Sequence, residues 1–280
     1  DLSDLFKSVD FFVRIWYYSR GLFFTLYILT EFREKYNMRM RKKKHTADRM
    51  TSLSDFFVQN GDNIPDFSEI FGNAAPLRLE IGCGKGDFVR QLSERDSGYN
   101  YIAMEKIDDV IVIAAEKYAA SRGLGSLAPN GGWKRWDGET VPMGEKVLIP
   151  DGMRGNVRFM RADAADIGKI FPEGSVDSVY ANFSDPWTKA GYASRRLTHA
   201  NFLAMYETIL VPGGAFFFKT DNAELFEFSV ESVKNSPLSL EFVTDDLHSS
   251  ERAADNIMTE YEKNFVSKGM KIHMLEARKA

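Results

Sequence analysis

A chain of 280 residues with 44% apolar content is long enough to bury one large α/β core and need not hold a second. A single cysteine, Cys83, excludes an internal disulfide or a cysteine-based metal cluster and suits a reducing cytoplasm. The net charge of −4 excludes a generally basic nucleic-acid coat, so a nucleic-acid partner has to be held by local clusters.

Residues 1–37 read as an N-terminal extension outside the folded domain. The stretch from Phe11 to Phe32 is densely aromatic but interrupted by Arg14 and Arg20, and the uncharged run from Gly21 to Thr30 falls far short of the roughly 20 residues a bilayer span needs. No small-residue cleavage site follows it, which argues against a signal peptide, so no membrane span is expected. From Met38 the text becomes MRMRKKKHTADRM, in which Arg39, Arg41, Lys42, Lys43, Lys44 and Arg49 face one acid, Asp48. Residues 38–50 are expected to be a mobile basic arm that holds phosphate with salt-sensitive affinity. The aromatics and prolines of 51–76 predict a helix and a loop packed on the sheet.

The stretch Leu77 to Phe88, LRLEIGCGKGDF, organises the rest of the chain. An apolar strand runs into Gly82, Gly84 and Gly86, and an amphipathic helix begins at Phe88. Glycines there permit positive φ and let a ligand approach the backbone. The spacing E-x-G-x-G-x-G differs from the G-x-G-x-x-G of dinucleotide folds. Glu80 would repel a pyrophosphate but suits a ligand carrying positive charge, such as the amino and sulfonium groups of S-adenosylmethionine.

A helix from Phe88 to about Glu94 leads to a buried strand, Asn100–Glu105, that ends in an acid placed for ribose hydroxyls. A helix from about Asp109 to Ala120 comes next, with Val110, Ile113 and Ala114 on one face. Residues 121–155 are rich in Gly and Pro without sustained period and read as an insertion. Within it, Trp133, Lys134, Arg135 and Trp136 form either a nucleotide-stacking patch or an ordinary small hairpin.

A strand at Asn156–Met160 delivers Asp163, placed for an adenine edge. Another at Val176–Phe183 delivers Ser184-Asp185-Pro186-Trp187. A helix from His199 to Leu210, a turn at Val211–Gly214 and a strand at Ala215–Lys219 succeed it, then a helix at 223–234 and strands at Leu240–Thr244 and Lys271–Leu275. This alternation predicts a doubly wound, mainly parallel seven-stranded sheet in a single domain, 51–280, whose late strands insert antiparallel. Ligands bind beyond the carboxyl ends of such strands, which places Glu80, Glu105, Asp163 and Asp185 in one crevice.

At these residues the sequence closely resembles the bacterial tRNA (guanine-N(7)-)-methyltransferase family. The matching text is MRMRKKKH at Met38, EIGCGKG at Glu80, NFSDPW at Asn182, RRLTHANFL at Arg195, FKTDN at Phe218 and NIMTEYE at Asn256. The resemblance covers Met38 to the C-terminus apart from the insertion. It implies the S-adenosylmethionine-dependent methyltransferase fold, S-adenosylmethionine as cofactor and tRNA as partner in a cytoplasmic monomer or homodimer. It also implies that Glu80, Gly82, Gly84, Gly86, Glu105, Asp163 and Asp185 bind the cofactor, with Asp185 catalytic. Lys189, Arg195, Arg196, Asp221 and Thr259-Glu260-Tyr261-Glu262 would handle the substrate. No metal is implied.

The chemistry asks little of the protein. The imidazole nitrogen of guanine carries an in-plane lone pair, so attack on a sulfonium methyl needs alignment rather than proton removal. Asp185 would accept guanine N–H groups and stabilise the positive charge left on the ring. Glu262 could read N–H donors that adenine lacks, although T-x-x-E is equally a helix-capping pattern. The family usually carries a proline and a basic run after DPW, where this chain reads Thr188-Lys189-Ala190-Gly191-Tyr192-Ala193-Ser194. Two other functions compete. An amino-group methyltransferase would use a (D/N/S)-P-P-(Y/F/W) motif, but Ser184-Asp185-Pro186-Trp187 lacks its middle proline. A non-catalytic RNA-binding protein on the same fold would not need the set of cofactor acids.

Overall fold

The central strands of the sheet are buried on both faces. The computed structural model describes residues 45–58, 64–150 and 152–280. The 1–37 extension and residues 38–44 of the basic arm lie outside the described residues. The strands are β1 (Leu77–Ile81), β2 (Asn100–Glu105), the two-residue β3 (Ser126–Leu127), β4 (Trp133–Lys134) and β5 (Thr140–Val141), then β6 (Val157–Arg161), β7 (Val176–Asn182), β8 (Leu210–Thr220), β9 (Ser239–Thr244) and β10 (His273–Arg278). Seven of them form one sheet in the order β6-β2-β1-β7-β8-β10-β9, with β10 antiparallel to both neighbours and the other pairings parallel. The order reverses direction at β1 and β7, which is where an open α/β sheet leaves a crevice for ligands.

The helices are α1 (Thr46–Ser52), α2 (Phe67–Phe71), α3 (Asp87–Arg95), α4 (Asp108–Ser121), α5 (Ile167–Ile170), α6 (Ala200–Ile209), α7 (Ala223–Lys234) and α8 (Glu260–Val266). Successive strand residues point to opposite faces. Leu79, Ile102, Val179 and Phe216 therefore pack with Leu203, Tyr206 and Leu225 from α6 and α7 on one face. Tyr101, Ala103 and Phe159 pack with Val89, Leu92, Ile111 and Tyr118 from α3 and α4 on the other.

Four expectations change. Arg49 does not belong to a free arm: it is buried in α1 and forms a bidentate pair with Glu116 of α4, at 2.7 and 2.6 Å. Ala114 is buried in α4 as expected, but the rest of the buried face is Ile111, Val112, Ala115, Tyr118 and Ala119 rather than Val110 and Ile113, because α1 covers a second side of this helix. The Val211–Gly214 turn does not precede β8 but lies inside it, as a bulge between the pairs Val176–Leu210 and Ser178–Ala215 that Gly213 accommodates at φ 75°.

The fourth concerns the insertion. It holds a small antiparallel sheet, β3-β4-β5, and Trp133 is buried in the main core with Nε1 donating to the Leu124 carbonyl at 2.9 Å. Trp133 therefore cannot stack on a nucleotide. Arg135 is paired with Asp137 and Glu139 at 2.7 and 2.6 Å, so the ordinary hairpin is the better description.

Candidate active site

The glycine turn has one open side and one packed side. Gly82, Gly84 and Gly86 sit at φ 69°, 55° and 74°, a region that only glycine enters without strain. The N–H groups of Gly82 and Cys83 both donate to the Met104 carbonyl, which ties the turn to β2. A Cβ added at Gly82 or Gly84 would meet nothing within 4 Å, whereas one at Gly86 would lie 2.8 Å from Cβ of Ala114. Two glycines thus clear space for a ligand, and the third lets α3 lie against α4. Cys83 is buried, and burial pushes its thiol pKa well up, so it is an inert small residue.

Three acids stand around this opening. Glu80, at the end of β1, is 5% exposed. The Asn182 amide of β7 donates to Oε1 at 3.5 Å, while Oε2 is buried without a partner. Glu105 is better satisfied: Oε1 accepts from the N–H groups of Lys106 and Ile107 at 2.8 and 3.0 Å, and Oε2 accepts from Gly84 N–H at 3.3 Å. Asp163 pairs with Lys106 Nζ at 2.5 Å and accepts from Ala165 N–H, contacts that hold its carboxyl below the usual range. Lys106 thereby bridges the ends of β2 and β6.

Burial, opposed weakly by Asn182 and the Lys219 charge, pushes the pKa of Glu80 up to about 8. The folded protein therefore keeps this proton where the unfolded chain, with an ordinary value of 4.5, has lost it. Stability from the neutral form is complete below pH 4.5 and is lost as pH rises through 8. A cationic ligand needs the carboxylate and must expel the proton. Calorimetry at pH 7 in buffers of different ionisation enthalpy should thus show roughly one proton released per S-adenosylmethionine bound, and almost none for Glu80→Gln. No buffer dependence in the parent protein would remove Glu80 from contact with the ligand cation.

The fourth acid follows β7, the parallel neighbour of β1. Asp185 is exposed on a turn flanked by Phe183 and Trp187, which adopt φ 54° and 42°, unusual for bulky residues. Arg196 holds that turn from within: Nε donates to the Pro186 carbonyl at 3.1 Å and Nη2 to that of Trp187 at 3.3 Å, while the guanidinium lies 4.4 Å from the Phe228 ring. Arg196 is thus a support of the turn, unlike Lys189 and Arg195, which are exposed. Tyr261 packs on Phe183 at 5.0 Å, and burial together with the negative charges of Asp221 and Asp185 raises its pKa to about 12. Asp185, Asp221 and Tyr261 therefore share one electrostatic neighbourhood.

The T-x-x-E residues divide their labour. Thr259 Oγ1 caps α8 by accepting from Glu262 N–H at 3.0 Å. The Glu260 N–H donates to Asp87 of α3 at 3.0 Å, and its carboxylate is exposed near Lys117. Glu262 is fully buried, 2.9 Å from Lys219 Nζ and from His248 Nε2, and accepts from the Asn256 amide at 2.6 Å. The carboxylate that was expected to read a guanine edge is turned to Lys219.

Lys219 was missed by sequence reasoning. It is buried on β8 with its ammonium donating to Asn256, the Ile257 carbonyl and Glu262 at 2.9, 3.0 and 2.9 Å. Burial lowers its pKa, and the charge of Glu262 opposes that. A lysine inside the apolar run FFFKT was the available signal. Below this network, between α3 and residues 252–257, lies a cavity of about 480 Å³ lined by Phe88, Tyr180, Asn182 and Lys219 but by none of Glu80, Glu105, Asp163 and Asp185. Among the described residues no cluster of acids, histidines and cysteine could hold a metal, and no helix is long and apolar enough to cross a membrane.

A doubly wound sheet, a glycine turn with two open positions, and a buried acid on the first strand with one oxygen unpartnered fit an S-adenosylmethionine-dependent methyltransferase. The family model Methyltransf_4, described as "Putative methyltransferase", matches residues 74–275. A tRNA (guanine-N(7)-)-methyltransferase of Lysinibacillus sphaericus is 37% identical over 242 residues, 86% of this chain and 98% of that protein. The enzyme of the same name from Bacillus cytotoxicus is 37% identical over 86% of this chain and 97% of its own length. The chain belongs to the tRNA (guanine-N(7)-)-methyltransferase family. A solved 16S rRNA methyltransferase, KamB, superposes over 80% of this chain and 98% of its own with TM-score 0.51 at 11% identity, a likeness of fold alone.

Proposed function

We propose that this chain transfers the methyl group of S-adenosylmethionine to the imidazole nitrogen, position 7, of a guanine in tRNA, in the cytoplasm. The observation that carries the reading is the pairing of two half-sites across the switch in strand order: Glu80, Glu105 and Asp163 on one side, Asp185, Asp221 and Tyr261 on the other. The cofactor supplies an electrophilic methyl group on sulfur. Glu80, with its unpartnered Oε2, is suited to an ammonium; Glu105, with lone pairs left after its backbone contacts, to ribose hydroxyls; and Asp163 to the adenine edge.

On the substrate side no base is required, since the attacking lone pair is already free. Asp185 and Asp221 accept the guanine N–H groups, and Asp185 offsets the positive charge that grows on the ring as the methyl arrives. Lys189 and Arg195 supply the cations beyond these acids. Glu262 acts with Lys219 to set the position of Thr259 to Tyr261.

The reaction is tested by incubating tRNA with the protein and methyl-labelled S-adenosylmethionine and identifying the labelled nucleoside by mass spectrometry. Label at N7 of guanosine is expected; label on an exocyclic amine would establish the amino-group alternative instead. Glu105→Ala should weaken S-adenosylmethionine binding by about 1.5 to 3 kcal/mol, the range for charge-assisted hydrogen bonds. Equal affinity in an equilibrium titration would take Glu105 out of the site.

A further inference from the structure

The loop after the Asp185 turn carries little charge and an exposed aromatic surface. Between Thr188 and Ser194 the only cation is Lys189, and Tyr192 stands in the middle. Tyr192 is 42% exposed, and its ring meets that of Trp187 edge-on at 5.9 Å. The guanidinium of Arg195 lies 4.9 Å from the Trp187 ring and 4.6 Å from the Tyr192 ring. No ion pair of Arg195 with an acid is found among the described residues.

The cluster is held by backbone contacts of its own loop. Residues Ala190–Arg195 form a 3₁₀ helix closed by Tyr192 N–H to Lys189 and Arg196 N–H to Ala193, at 2.9 and 3.0 Å. Arg196 fixes the carbonyls of Pro186 and Trp187 from the other side. An ordered platform loses little side-chain freedom on binding.

We propose that Trp187, Tyr192 and Arg195 form a stacking subsite for an unpaired base next to the methylated guanine; this rests on the proposed tRNA methylation. Charge decides what can lie there. Asp185 and Asp221 repel phosphates, so the strand must present bases to the centre and carry its backbone outward, towards Lys189 and Arg195. A base of any identity can stack on an aromatic ring or on the plane of a guanidinium lying over it, as Arg195 lies over Tyr192, which is how single-stranded nucleic acid is held without sequence reading. Where the loop carries few cations, stacking, whose strength does not depend on salt, holds the strand.

The test uses the full chain and two tRNAs carrying 2-aminopurine immediately 5′ or 3′ of the methylated guanine. In equilibrium binding without cofactor, the parent protein should quench one of the two probes. Tyr192→Ala should abolish the quenching and Tyr192→Phe should keep it. Tyr192→Ala should also raise the KM for tRNA about fivefold to a hundredfold, the span expected for one stacked base, with the KM for S-adenosylmethionine unchanged. Its salt slope should equal that of the parent, whereas Arg195→Ala should flatten the slope.

Equal quenching in the parent protein and Tyr192→Ala, or a tRNA KM within twofold of the parent, would overturn the subsite. So would an effect confined to Arg195→Ala and its salt slope, which marks a phosphate contact only. Because quenching is read without methyl transfer, a protein that quenches but does not methylate tRNA would overturn the reaction and leave the subsite standing.

Discussion

Asp185→Asn is expected to lower the turnover number about tenfold to a thousandfold while leaving tRNA binding nearly intact, the scale of one electrostatic contact to charge that develops in the transition state. The amide keeps the shape of the turn, whose carbonyls Arg196 holds at 3.1 and 3.3 Å, so the change falls on charge alone. If the carboxylate acts on charge that develops only during transfer, kcat and kcat/KM fall together. Asp185→Ala should be worse, since it removes the acceptor as well. Single-turnover rates separate the chemical step from product release. Rates within twofold of the parent for both variants would make Asp185 a structural residue of the turn.

Lys219→Met should be the most destabilising of these substitutions. It leaves Glu262, fully buried, without its cation, and breaking a buried pair from one side typically costs about 3 to 5 kcal/mol. For a domain of this size that corresponds to a fall in Tm of roughly 6 to 20 °C. Lys219→Met/Glu262→Met should recover most of it, because replacing both partners with apolar groups removes the stranded charge. A single variant melting within about 2 °C of the parent would show that Glu262 is satisfied without Lys219. The double variant should fold yet bind tRNA poorly, since Thr259 to Tyr261 lose the tie through Asn256 and Ile257 that fixes them against the sheet.

The sheet and half of the site were legible for a common reason. Strands buried on both faces read as short apolar runs, and an acid closing each run is a local signal. Leu77–Ile81 and Asn100–Glu105 were placed to the residue, and the glycine turn between them marks its own backbone needs. Helix α4 was misread because two layers cover it, the sheet and α1, so its apolar residues do not form one stripe. The bulge in β8 was misread because Pro-Gly-Gly normally ends a strand, whereas here the neighbouring strand continues past it.

The other half of the site depends on contacts distant in sequence. That Glu262 belongs to Lys219 and Arg196 to the carbonyls of the DPW turn cannot be read from spacing, since each is decided by which elements the topology brings together. T-x-x-E announced both a cap and a recognition acid. The cap is formed by Thr259, and the acid is committed to the interior.

The segment 121–155 has a consequence for how this chain can vary. Trp133, Val147 and Ile149 close one flank of the core, and the backbone carrying them is folded tightly on itself. A Cβ at Gly125 would lie 1.9 Å from the Lys134 carbonyl oxygen, and one at Gly132 would lie 2.6 Å from that of Val141. Neither obstacle is a side chain that could swing aside. The least periodic stretch of the sequence is therefore a fitted lid on the core, free to drift at its exposed tip around Trp136 and Asp137 but not at the glycines that let it close.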